Sequence, residues 1–173
     1  MSTKTDRFGK FVRGFGFAAQ GVIYCLIHER NMRFHIGAGA AAAALAFIAE
    51  LSAAEKAAVF ICTGLVIAFE CVNTAIEVTL DSVFGTQKRE FIRITKDCTA
   101  GAVLVSAVAS LAVGAVLFIR KQSLDKITAF FAERPFAVIL FAVLAIIWLI
   151  WTFTCTKSEK ENYLSDNNIK EKD

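Results

Sequence analysis

Two stretches of the chain are too long and too apolar for any soluble core of this size to absorb. Ala100 to Ile119 runs 20 residues without a charge, and Pro135 to Cys155 is a second uncharged run with Trp148 and Trp151 towards one end. A helix rising 1.5 Å per residue over such a length covers ~30 Å, the hydrocarbon thickness of a bilayer. Composition points the same way. Of the 173 residues, 56% are apolar, mean hydropathy is +0.55 and proline occurs once, whereas ordinary globular domains hold about 45–50% apolar residues. The net charge is only +3, and the basic residues sit beside apolar runs. They read as membrane-surface and phosphate-facing charges rather than a nucleic-acid footprint.

The pattern divides the chain into a surface helix and four spans. From Asp6 to about Arg33, Phe8, Phe11, Val12, Phe15, Ala19, Val22, Ile23 and Leu26 recur at helical spacing, with Arg7, Lys10, Arg13 and Gln20 between them. That is an amphipathic helix suited to the headgroup plane. Phe34 to Leu51 is an alanine-dominated first span with Gly37 and Gly39 near its start, and such small residues let helix backbones approach closely in lipid. Ser52-Ala-Ala-Glu55 reads as a capping box opening a second span over 54–83, so the two form an antiparallel hairpin. A polar connection, Gly85 to Glu90, leads through Phe91–Asp97 into the third span, 100–119. A mixed connection then precedes a fourth span, 135–155, which Pro135 opens at the position where proline suits a helix best. The polar tail 157–173 is expected to be disordered. The five cysteines form no CxxC and no zinc spacing, and they read as packing residues. With six Lys/Arg and no early apolar run between Met1 and Arg33, a cleaved signal peptide is not expected.

The distribution of Lys and Arg sets an orientation. The first loop holds only Lys56, against Lys4, Arg7, Lys10, Arg13, Arg30 and Arg33 before the first span and Lys88, Arg89, Arg93 and Lys96 in the second connection. The N-terminus and the second connection should therefore face the cytoplasm. The third connection conflicts with that rule, because Arg120, Lys121, Lys126 and Arg134 fall on the outer side.

The second span carries the chemistry. On a helix with Glu70 at 0°, Asn73 falls at about −60°, Glu77 at about −20° and Asp81 at about +20°, one stripe ~16 Å long. A carboxylate within a bilayer costs several kcal/mol unless it is paired, so it marks a functional position. Carboxylates a turn or two apart with an amide between them can hold a divalent cation, and a spare one can act as a base. Two other readings compete: a polar seam for helix association, and an ion or proton pathway. Seams more often use Ser, Thr or Asn. A pathway needs a polar trail through the membrane, and the outer halves of these helices carry acids only at the rim, as Glu50 and Glu55. No GxxxxGK[ST], GxGxxG or protein-kinase motif is present.

Three segments, His28-Glu29-Arg30-Asn31, Glu70-Cys-Val-Asn73-Thr74-Ala75-Ile76-Glu77 with Asp81, and Lys96-Asp97-Cys-Thr-Ala-Gly-Ala-Val, resemble the prokaryotic diacylglycerol kinase family over about Phe8 to Ile119. The resemblance implies an all-α integral membrane protein, with an N-terminal surface helix and a three-span kinase core over 1–119. It further implies homotrimers with active sites shared between subunits at the cytoplasmic face of the bacterial inner membrane. The activity implied is transfer of phosphate from ATP, with Mg2+, to a membrane lipid alcohol. The match across His28–Asn31 and Lys96–Val103 is closer to the type that phosphorylates undecaprenol than to the type acting on diacylglycerol. By the same resemblance Glu70 is the general base, Glu29 and Glu77 bind magnesium, and Asn73 orients Glu70 or the substrate. Lys96 and Asp97 touch the nucleotide, and Asp81 belongs to the motif without an assigned role. The additional C-terminal transmembrane helix and its connection, 120–156, depart from the family's usual core.

Overall fold

In the computed structural model, residues 4–85, 87 and 89–154 are described; Cys155 and the tail 157–173, expected to be disordered, lie outside them. These residues form six helices: α1 Lys4–His28, α2 Arg30–Ile48, α3 Ala53–Phe84, α4 Glu90–Phe118, α5 Lys121–Glu133 and α6 Pro135–Phe153. No strand occurs among them, and the protein is an all-α integral membrane protein. Four helices are long and apolar enough to cross a membrane: α1 from Gly9, α3, α4 and α6, with mean hydropathies of 1.2, 2.0, 2.3 and 2.7. α1 is the least apolar of the four, and Lys10, Arg13 and Gln20 interrupt it as in a helix at the headgroup plane. α2, the expected first span, is absent from that group because Arg30, Arg33 and His35 occupy its first two turns and alanine most of the rest. It lies between α3 and α6.

The expected capping box forms in full. Ser52 Oγ accepts from the Glu55 backbone N–H at 3.3 Å, and Glu55 Oε2 accepts from the Ser52 N–H at 2.8 Å, so α3 starts with its exposed donors satisfied. α2 ends just before it in a paired closure, Leu51 N–H to Ala46 O and Glu50 N–H to Phe47 O. This is the Schellman pattern, which places one residue in the left-handed region. Here that residue is Glu50, at φ 50°, where glycine is usual. The two terminations leave four residues, Ala49 to Ser52, between the helices, and α2 and α3 pack antiparallel on Ala46, Ala49, Leu51 and Val59, joined by Leu117 of α4.

Glycine supplies the close approaches expected of the first span. A Cβ on Gly39 would collide with the Thr63 side chain of α3, and one on Gly37 would collide with the Trp148 indole of α6. At the residue before Thr63, Ser110 of α4 donates to the Cys62 carbonyl at 3.3 Å. Much of the apolar surface of α4 and α6 points outward (Leu111 is 74% exposed, Phe136 84%), as befits helices bathed in lipid or neighbouring chains.

Two boundaries differ from the expected ones. The periodicity carries the surface helix to about Arg33, but α1 stops at His28, because Glu29 is extended at φ −111°, ψ 120°. Arg30 to Arg33 therefore open α2, and Arg33 turns inward. The stretch from Arg120 to Arg134, read as a connection, is mostly the helix α5, which packs on α2 and α6. Ser123 secures its start by donating to Leu117 O at 2.8 Å. Lys126 pairs with Glu50, and Arg120 with Glu55, both at 2.7 Å. These pairs put the third connection at the same end as the α2–α3 turn, and half of its basic residues are engaged with that turn's acids.

Candidate active site

The stripe expected on the second span exists, and its burial is graded along α3. Glu70 is 1% exposed and Asn73 8%, while Glu77 and Asp81 are half-buried. Thr74 donates its hydroxyl to the Glu70 carbonyl at 3.0 Å, a local bond that keeps this helix face closed over its own backbone. Asn73 Nδ2 donates to Glu77 Oε1 at 3.3 Å, so the amide orients the second carboxylate of the stripe.

The helix break delivers the remaining parts. With Glu29 extended between α1 and α2, both Glu29 and Asn31 come up to Glu70: the Asn31 amide lies close enough to act on the Glu70 carboxylate, and Glu29 and Glu77 lie near enough for their charges to act on it. Asn31 is the member of this cluster that the sequence alone did not single out, although it stands in the His28–Asn31 segment. Its signal was the amide two residues beyond an acid, which carries meaning only once the break is known. Two buried oxygens in the cluster, Glu70 Oε2 and Asn73 Oδ1, have no hydrogen-bond partner among the described residues. A buried acceptor without a partner costs about 1–3 kcal/mol, which marks both atoms as directed at something other than this chain's own packing.

Farther down the stripe the charges pair off. Lys96 of α4 meets Asp81 at 2.6 Å, which ties the lower half of α3 to α4. Asp97, adjacent in sequence, points to another face of α4, is 63% exposed and pairs with Arg93 at 2.9 Å; Arg93 also engages Glu90 at 2.5 Å. The structure thus brings Glu29, Glu70, Asn73 and Glu77 together, sets Lys96 one step away through Asp81, and leaves Asp97 on the outer surface of α4.

Among the described residues no three His, Cys, Asp or Glu side chains are grouped so as to hold a metal ion by themselves. The donor chemistry nevertheless suits magnesium. Glu29 and Glu77 offer hard carboxylate oxygens near Glu70, and magnesium characteristically takes one or two carboxylates and completes its shell with water and phosphate oxygens.

The part of the chain that holds these residues matches known proteins. A family model described as prokaryotic diacylglycerol kinase matches residues 16–118, which hold the break, the stripe and the Lys96–Asp97 pair. The chain belongs to the prokaryotic diacylglycerol kinase family. Its members are lipid kinases, and this chain is one of them by that match. A diacylglycerol kinase of Synechocystis is 37% identical over 105 residues, 61% of this chain and 60% of that protein. An undecaprenol kinase of Bacillus subtilis is 36% identical over 124 residues, 70% of this chain and 99% of that protein. No solved structure matches. The family match ends at the last residue of α4, so α5 and α6 lie beyond it.

Proposed function

We propose that the protein transfers the γ-phosphate of ATP, with Mg2+, to the hydroxyl of a membrane lipid alcohol, undecaprenol above all, at the cytoplasmic face of the bacterial inner membrane. The observation that carries this reading is Glu70: a carboxylate buried on a membrane helix, with one oxygen unpartnered among the described residues and Asn31 and two further carboxylates beside it. Phosphoryl transfer demands positioning and charge neutralisation more than covalent chemistry from the protein. Glu70 is placed to take the proton of the lipid hydroxyl as that oxygen attacks the γ-phosphorus and the bond to the departing ADP oxygen breaks. Asn31 holds the base by hydrogen bonding, and Asn73 holds Glu77. Magnesium on Glu29 and Glu77 would offset charge developing on the phosphate oxygens. Lys96 is within a side chain's reach of the stripe through Asp81, and its ammonium suits a nucleotide phosphate; Asp97 is the second nucleotide-facing group in this reading.

A homotrimer with shared sites fits two features of the single chain. The described residues of one chain offer fewer than three grouped metal-binding side chains, and large apolar side chains of α3 and α4 such as Ile61 and Leu104 remain uncovered.

The preference for undecaprenol rests on length as well as motif. The likeness to the Bacillus undecaprenol kinase spans 99% of that protein, whereas that to the cyanobacterial diacylglycerol kinase spans 60%. Diacylglycerol is the second reading, by the same mechanism. The deciding experiment is a phosphorylation assay in micelles with MgATP and each alcohol side by side. Faster turnover of undecaprenol supports the proposal, and faster turnover of diacylglycerol transfers it to the second substrate. Absence of turnover with both, accompanied by cation flux in sealed vesicles or by no nucleotide binding, would replace the kinase reading with a carrier or a non-catalytic polar seam.

A further inference from the structure

α6 ends beside the break that sets Glu29. Its Trp148 indole donates to the Arg33 carbonyl at 3.1 Å and lies over Gly37, where a Cβ would exclude it. Phe34 packs on the same ring, with centroids 5.2 Å apart. Arg33 itself is buried, 4% exposed, and its guanidinium joins three helices. Nη1 donates to Trp151 O at the end of α6 at 3.0 Å, and Nη2 donates to Ile27 O at the end of α1 at 2.9 Å. The guanidinium also sits over the Trp151 ring, 5.6 Å from its centroid. One residue beyond the ring, Thr152 is 1% exposed. Ile27 and Arg33 flank Glu29 and Asn31 in the chain, so the guanidinium spans the loop that presents both residues to Glu70.

A buried guanidinium is costly unless its donors are met. Here two of the acceptors lie on separate helices, one of them α6, and Nε has no partner among the described residues. Without the α6 carbonyl and ring, this side chain would have to turn elsewhere and release Ile27. Because a lysine presents a single ammonium rather than a fork, it could not reach both carbonyls at once.

We propose that α6 is a positioning element of the active site: through Arg33 it fixes the α1–α2 break, and with it where Glu29 stands relative to Glu70. Arg33 and Trp148 are positioning residues in this scheme, acting through Glu29 without touching the reacting atoms. The inference rests on the assignment of Glu29 to the metal, and the readouts separate the two.

Trp148→Phe keeps the ring and removes the indole donor, while Arg33→Lys keeps the charge and removes the fork. Both are measured in the full chain in micelles, with Glu50→Gln at the far end as a control. The expected result is an apparent Mg2+ requirement raised about tenfold in Arg33→Lys and less in Trp148→Phe, the range of lost support around a metal ligand. The kcat at saturating Mg2+ should stay close to that of the unmodified protein, and Glu50→Gln should not move the requirement. Trp148 and Trp151 are the chain's two tryptophans, so a titration with Mn2+ alone, followed by tryptophan emission, reads the same junction without turnover. The unmodified protein should respond, Glu29→Gln should not, and Arg33→Lys should respond at higher Mn2+. An unchanged metal requirement in both variants overturns the inference. So does a uniform loss of kcat that tracks a lowered melting temperature, since that is the mark of packing alone. If the unmodified protein phosphorylates neither alcohol, the kinase reading fails, while the Mn2+ titration still decides for or against the α6 tie.

Discussion

The two ends of the helix bundle handle their acids in opposite ways. At the α2–α3 turn, Glu50 and Glu55 lie at the rim, and each has a basic partner from the α5 region, Lys126 and Arg120. Glu55 is also consumed in the capping box. At the other end Glu70 is buried, its charged neighbours are two more carboxylates, and one of its oxygens lacks a partner among the described residues. Ion pairs at a surface contribute little stability but leave nothing unsatisfied. Like charges gathered in a buried cluster are costly to hold. The comparison separates an end that is finished by its own chain from one that, in the proposed function, waits for a cation and a substrate.

The sharpest test removes the charge at the waiting end. Glu70→Gln should lower kcat by about 10²–10⁴, the usual worth of a general base, with the melting temperature in micelles unchanged or raised. Normal turnover in that variant would place the base elsewhere. Next in size, Glu29→Gln or Glu77→Gln should raise the Mg2+ needed for half-maximal rate by about 10–100-fold; a Mg2+ titration with saturating ATP distinguishes them from Glu70→Gln, whose loss metal should not rescue. Gly39→Ala acts on neither end but on the packing between them. It drives a methyl into Thr63 and should destabilise the fold by about 1–3 kcal/mol, seen as a lower melting temperature with the metal requirement preserved.

The smallest effect belongs to the finished end. The hydrogen bond and charge of Lys126 hold the Glu50 carboxyl below its usual value of 4.5. Its folded value is thus lower than its unfolded one, so the pair adds stability above the unfolded value and loses it as the pH falls through the folded one. A melting temperature followed from pH 7 into the acid range should fall slightly more for the unmodified protein than for Glu50→Gln. Equal slopes would show that the pair contributes nothing measurable.

The finished end was the more legible of the two from sequence. Ser52 and Glu55 stand at capping-box spacing, and local hydrogen bonding is enough to realise it. The stripe from Glu70 to Asp81 was legible for a similar reason, since a long apolar helix imposes its own angles on the residues it carries. The break at Glu29 was not. Glutamate favours helices, neither glycine nor proline marks the position, and the apolar spacing continues past it; only the tertiary anchoring of Arg33 on Ile27 and Trp151 makes an extended residue there worth its cost. With the break unseen, Asn31 could not be assigned. α5 escaped for a different reason: thirteen residues of mixed polarity form a stable helix chiefly because neighbours cover one face. The resemblance places both Lys96 and Asp97 at the nucleotide; consecutive helical residues point about 100° apart, and in the single chain Asp97 pairs with Arg93 while Lys96 pairs with Asp81.

The seat that Gly37 offers to Trp148 joins residues more than a hundred positions apart in the chain. During synthesis α1 to α4 emerge first, with every acid of the site already in place, while the indole that fills the seat is still unmade. The membrane therefore receives a half-built enzyme whose Arg33 still lacks its α6 acceptor, and a helix that arrives after the site's acids is the one that locks the first loop.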